Sequence, residues 1–63
     1  MVTLEDKFLT PGEIARLLKV HLRTVERIMK RREIQYVKIG RQYRITEKAL
    51  NQYLKNHTEY PED

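Results

Sequence analysis

Apolar positions recur at helical spacing in three stretches of the chain and alternate in a fourth, and turn chemistry marks the boundaries between them. The first stretch opens on Thr10-Pro11-Gly12-Glu13. Thr10 can cap the free N–H groups of a helix, Glu13 three residues later can reach back to the cap, and Pro11 takes the first helical position, where a missing N–H costs nothing. Leu9 and Ile14 stand at the two positions of a hydrophobic staple. A helix is predicted from about Pro11 to Leu18, with Ile14, Ala15, Leu17 and Leu18 on its buried face. Lys19, Val20 and His21 interrupt that period with neither glycine nor proline, and Leu22, Val25, Ile28 and Met29 resume it at once. So short a gap predicts a tight turn between two short helices, with Val20 turned into the core, which is a helix-turn-helix. At about 100° per residue, Arg23, Arg27 and Lys30 fall opposite the apolar side of the second helix, flanked by Thr24 and Arg31.

After Arg32 and Glu33 the period becomes two, through Ile34-Gln35-Tyr36-Val37-Lys38-Ile39 and Tyr43-Arg44-Ile45, and predicts a hairpin. A two-residue turn at Gly40-Arg41 would pair Ile39 with Gln42 and Val37 with Arg44, mixing apolar and polar side chains on one face. A three-residue loop, Gly40 to Gln42, pairs Ile39 with Tyr43 and Val37 with Ile45 and makes one face wholly apolar. The longer loop is therefore expected, with Lys38 and Arg44 on the outer face and Arg41 at the tip. Thr46 caps a last helix that buries Ala49, Leu50, Tyr53 and Leu54 and turns Lys48, Gln52 and Lys55 outward. Met1 to Lys7 read as a lead-in without a period, and His57 to Asp63, with Pro61 and three acids, as a fraying end.

These elements add up to a mainly helical α+β fold, expected as one domain over residues 1–63 with an ordered core of about 8–56. A chain of 63 residues buries only about 60% of its unfolded surface, which leaves no room for a large enclosed active site. Cysteine is absent, so disulfides, thiolate zinc sites and cysteine nucleophiles are excluded, and a reducing interior such as the cytoplasm fits best. No apolar run reaches the length of a membrane span, and the start lacks the order of a signal peptide. Serine is absent too, His21 and His57 have no carboxylate or thiol set beside them, and the glutamates are scattered. Nucleophilic catalysis, a metal site, a cofactor and enzyme activity are accordingly not expected.

Charge changes the picture more than composition does. The net charge is +4, but acids gather near the ends, and between Arg16 and Lys48 eleven lysines or arginines stand against three glutamates, a net +8. A field of that sign attracts phosphate backbones through counterion release. Arg23 and Arg27 lie one turn apart near the start of the second helix, and arginine can bind guanine O6 and N7 with two hydrogen bonds. Thr24 can meet a phosphate or a thymine methyl. Lys30 and Arg31 suit phosphate contact, although a helix C-terminus favours cations with no ligand present. Arg41, beside Gly40, suits a minor groove or a phosphate. His21 is read as a helix cap or phosphate donor, and Tyr36 and Tyr43 as half-buried aromatics.

The order helix, tight turn, helix, basic hairpin, helix, spelled Leu9-Thr10-Pro11-Gly12-Glu13-Ile14-Ala15, Thr24-Val25-Glu26-Arg27-Ile28 and Lys38-Ile39-Gly40-Arg41-Gln42-Tyr43-Arg44-Ile45, resembles the excisionase-like family of helix-turn-helix proteins. That family is close in fold to the DNA-binding head of MerR-type regulators. The resemblance covers roughly Phe8 to Lys55. It implies a winged helix-turn-helix, with His21 at the entry to a major-groove helix, Arg23, Thr24 and Arg27 as its outward residues, and Arg41, Gln42 and Arg44 in a wing on the backbone or minor groove. Relatives usually carry glycine where this chain has Lys19, and Gly then Pro where it has Arg32 and Gln35. A left-handed backbone at Lys19 or Arg32 would cost about 1 kcal/mol or more.

The expected partner is double-stranded DNA, together with an integrase or a further copy of the chain in an excisionase-like role, or an operator in a transcriptional one. The competing expectation is an interaction module whose basic face meets an acidic protein. Because each predicted apolar face is used once in the core, a monomer is expected in solution.

Overall fold

The computed structural model describes residues 6–61, so the lead-in residues 1–5 and the final two acids lie outside it. The element order is β1 (Phe8–Leu9), α1 (Pro11–Leu18), α2 (Leu22–Lys30), β2 (Val37–Ile39), β3 (Gln42–Thr46) and α3 (Glu47–Asn56). The strands form one antiparallel sheet in the order β1-β3-β2. This is a winged helix-turn-helix of the α+β class.

The start of α1 is held as its residue types dictate. The Thr10 N–H donates to Glu13 Oε1 at 2.9 Å, and the Glu13 N–H donates to Thr10 Oγ1 at 3.0 Å, closing a capping box. Those bonds hold the Glu13 carboxyl below its ordinary pKa: the Thr10 backbone N–H contributes most, then the Thr10 side chain, with the charges of Arg44 and Lys7 adding less and desolvation opposing. The Thr46 side chain does the same service for α3, accepting from the Ala49 N–H at 3.0 Å. At the other end of α3, His57 Nδ1 lies 2.9 Å from the Tyr53 carbonyl, and the Thr58 hydroxyl donates to the Leu54 carbonyl at 2.6 Å.

Both α1 and α2 end in the same way. Lys19 N–H bonds the Arg16 carbonyl and Val20 N–H the Ala15 carbonyl; Arg32 N–H bonds the Met29 carbonyl and Glu33 N–H the Ile28 carbonyl. Each pair is a Schellman closure, which needs a left-handed residue just past the helix. Lys19 has φ 57° and Arg32 φ 59°, so two basic residues occupy a conformation that favours glycine.

One core joins the layers. Ile14 and Ala15 of α1, Val25 and Met29 of α2, Leu9 of β1, Ile45 of β3, Leu50 of α3 and Ile34 of the α2–β2 connection are buried together. Leu18, Ile28, Ala49 and Tyr53 pack against them. Burying a side chain of this size is worth about 1.5–3 kcal/mol, and the fully enclosed Ile14, Val25 and Ile45 sit where α1, α2 and the sheet meet.

The structure departs from the sequence expectations in the hairpin, at several apolar side chains and at the start of β2. The hairpin turn has two residues, not three: Ile39 pairs with Gln42, Lys38 with Tyr43 and Val37 with Arg44. Gly40, at φ 61°, takes the first central position and Arg41 has no positive φ, the type II′ arrangement that suits the twist of a hairpin. The apolar partner of Ile45 is Leu9 of β1, because the two-residue strand Phe8–Leu9 adds an edge that the hairpin pattern alone does not show. Ile39 therefore needs no core and is 61% exposed, while Ile45 is fully buried. As a further consequence, Lys38 and Arg44 stand on opposite faces of the wing. Val20 is exposed rather than turned inward; Leu17, Leu22 and Leu54 are also exposed, so the premise that every apolar face is consumed in the core fails. Ile34 is buried but lies in the connection, and the strand begins at Val37.

Candidate nucleic-acid interface

Helix α2 divides cleanly into two sides. Val25 and Met29 are buried and Ile28 half-buried, whereas Arg23, Glu26, Arg27 and Lys30 are exposed. Thr24 is half-buried at the edge, and its N–H donates to the His21 carbonyl at 2.9 Å. His21 occupies the N-cap position, yet its side chain makes no capping bond, so its role as a cap is carried by backbone alone. Its imidazole is exposed at the helix entrance, where backbone N–H groups and the helix dipole favour an anion. Arg31 ends the helix and is exposed.

Among the described residues, the side chains of Arg23, Arg27, Lys30, Arg31 and Arg41 make no hydrogen bond or ion pair. Glu26 and Glu33 were the available partners on the same helix and just beyond it, and neither is used. A basic stripe whose charges are unneutralised within the fold can spend them on an external polyanion, with release of condensed counterions on binding.

The wing is asymmetric. Tyr36, Lys38 and Tyr43 share the face that continues to the core residue Ile45, as the strand alternation and register require. The rings of Tyr36 and Tyr43 meet edge to face at 5.5 Å and 73°, and Lys38 Nζ stands 5.8 Å from the Tyr43 ring centre. Both tyrosines are about two-fifths exposed, at 41% and 37%. With Pro11, Glu26, Met29 and Lys30 they wall an open cleft between α2 and the wing. On the opposite face, the Arg44 guanidinium donates to Gln42 Oε1 at 2.7 Å and to the Tyr43 carbonyl at 2.8 Å. Gln42 and Arg44 are thus tied to each other, Arg41 stands free at the turn, and Lys38 lies on the cleft side.

The structure therefore brings Arg23, Arg27 and Lys30 onto one exposed face, with Lys38 and Arg41 in the adjoining wing, and sets Gln42 and Arg44 on the far side. Glu26 and the tyrosine pair were not singled out as site residues by charge or period. Both come to the cleft through tertiary structure, the tyrosines by the two-residue register and Glu26 by the packing of α2 beside the wing.

A helix-turn-helix with a bare basic face and a hairpin wing defines the class: a DNA-binding winged helix-turn-helix, whose ligand is double-stranded DNA. A family model described as a helix-turn-helix domain matches residues 8–58, most of the chain, and the chain belongs to that family. A search of curated proteins and a search of solved structures each returned no match. Among the described residues no helix is long and apolar enough to cross a membrane, and no group of three or more His, Cys, Asp or Glu is placed to hold a metal ion.

Proposed function

We propose that this protein binds double-stranded DNA sequence-specifically, as an excisionase-like architectural protein or a small transcriptional regulator, with α2 in the major groove and the β2–β3 wing along the backbone or the adjoining minor groove. The observation that carries this reading is the unpaired face of Arg23, Arg27 and Lys30, opposite a fully apolar one and beside a basic wing. Arg23 and Arg27 read base edges, and His21, Lys30, Arg31, Lys38 and Arg41 meet phosphates. Thr24 contacts the groove edge by its hydroxyl, while Gln42 and Arg44 brace the wing and reach the backbone only if their mutual bond opens. The protein acts by binding and bending, in company with an integrase or a second copy on the same DNA.

Titration of a mixed-sequence duplex at several salt concentrations tests the reading. Affinity is expected to fall linearly in log–log form as salt rises, with a slope of about −0.9 per phosphate neutralised. No binding at low salt, together with capture of an acidic protein by the same face, would give the interaction-module reading the field.

A further inference from the structure

Glu26 is the one acid on the exposed side of α2, in a stretch otherwise dominated by lysine and arginine. Lys30 follows it by four residues, in the order that favours a helical ion pair. The pair is not formed: among the described residues the Glu26 carboxylate has no hydrogen bond or ion pair. It caps nothing either, since the first turn of α2 contains no acid. Around the helix it falls between buried Met29 and exposed Lys30, on the flank that borders the wing, where it lines the cleft with Tyr36 and Tyr43. An unpaired carboxylate on a surface that meets phosphate is a cost to binding unless it finds a donor there. Duplex DNA offers such a donor in the major groove, the N4 amino group of cytosine, and glutamate accepts from it.

We propose that Glu26 determines specificity by accepting a hydrogen bond from a cytosine amino group, on the wing side of the base pair read by Arg27, while its charge repels phosphate and so weakens binding to unmatched sequence. The proposal rests on the DNA-binding reading of α2. Glu26 directly precedes Arg27 but lies about 100° around the helix from it, so the two side chains address different base pairs of one site, with Glu26 on the wing side. The carboxylate thus works twice, once as an acceptor for the right base and once as a penalty against the wrong register.

Selection of binding sites from a randomised duplex library, run with the wild-type chain and with Glu26→Gln and Glu26→Ala, decides the matter. The wild type is expected to select cytosine at one position. Glu26→Gln should shift that position toward adenine, whose N6 and N7 match a carboxamide, and Glu26→Ala should lose the preference there. Both variants should bind random duplex several-fold more tightly than wild type at low salt, with the cognate-to-random ratio reduced at least about fivefold. Identical selected motifs from all three proteins would overturn the assignment, as would a wild type that binds duplex without selecting any sequence. A wild type that binds no duplex at all would instead remove the reading on which the assignment stands.

Discussion

At the scale of single residues, Lys19 and Arg32 carry backbone strain. Each holds φ near 60° to close a helix, and a left-handed residue with a Cβ costs about 1–2 kcal/mol. Glycine removes that strain but loses about 0.5–1 kcal/mol of chain entropy on folding. The balance favours glycine: Lys19→Gly and Arg32→Gly are each expected to raise unfolding stability by up to about 1 kcal/mol, read as an increased urea midpoint at constant slope. Glu13 makes a second case. Its carboxyl sits below its ordinary pKa, chiefly because the Thr10 N–H donates to the charged form. The charged form therefore stabilises the fold at pH above the ordinary carboxylate value, and that contribution fades as pH falls through the lowered one. Wild type should exceed Glu13→Gln in stability near neutral pH and converge on it in acid, in urea titrations run across that window. A constant gap at every pH would mean that charge at Glu13 is irrelevant to the cap.

At the scale of elements, the wing shows how a correct alternation can be assigned the wrong partner. The period-two pattern of Val37, Ile39, Tyr43 and Ile45 is real, but it does not form one apolar face within the hairpin, because Val37 pairs with Arg44 and Ile39 with Gln42. Leu9 and the helices supply the cover for Ile45, so the hairpin beyond it projects into solvent and its register obeys the turn instead. Gly40 before one further residue is the signal of a type II′ turn, and it was present in the sequence all along. The two registers separate in mutation. Ile39→Lys should change stability by no more than about 0.5 kcal/mol, as at an ordinary surface site, whereas Ile45→Ala should cost about 2–5 kcal/mol. A large loss from Ile39→Lys in thermal or urea unfolding would restore the three-residue loop. The starts of α1 and α3, by contrast, were legible to the residue, since Thr10 and Thr46 cap them through their side chains and Pro11 marks the first position of α1.

For the whole molecule, the helical face and the wing tip should contribute differently to DNA binding. Arg27 stands on a helix opposite the buried Val25 and Met29, so under the proposed reading its guanidinium would meet base edges in a defined pose. Arg41 stands on the two-residue turn, and under the same reading it would meet backbone or minor groove without a fixed base partner. Arg27→Ala is accordingly expected to lower preference for a selected site by about 1–3 kcal/mol, measured as the ratio of cognate to random duplex affinity. Arg41→Ala should weaken both duplexes alike and reduce the salt slope by about one. If Arg27→Ala left the selected motif unchanged, α2 would not be the reading helix.

The sequence alone determined the helices, the threonine caps of α1 and α3, the tight turn between α1 and α2 and the basic stripe, because each rests on contacts within a few residues of one another: a cap on the next turn, a face at 3.6 spacing. Tertiary structure decided what depends on distant partners. It paired Leu9 with Ile45, which set the wing's register and put Lys38 and Arg44 on opposite faces. Leu17, Val20 and Leu22 it left in solvent, because the small core was already filled by Leu9, Ile34 and Leu50 from other parts of the chain. And it left the charges of α2 without internal partners, a property of where side chains end in space that spacing along the chain does not specify.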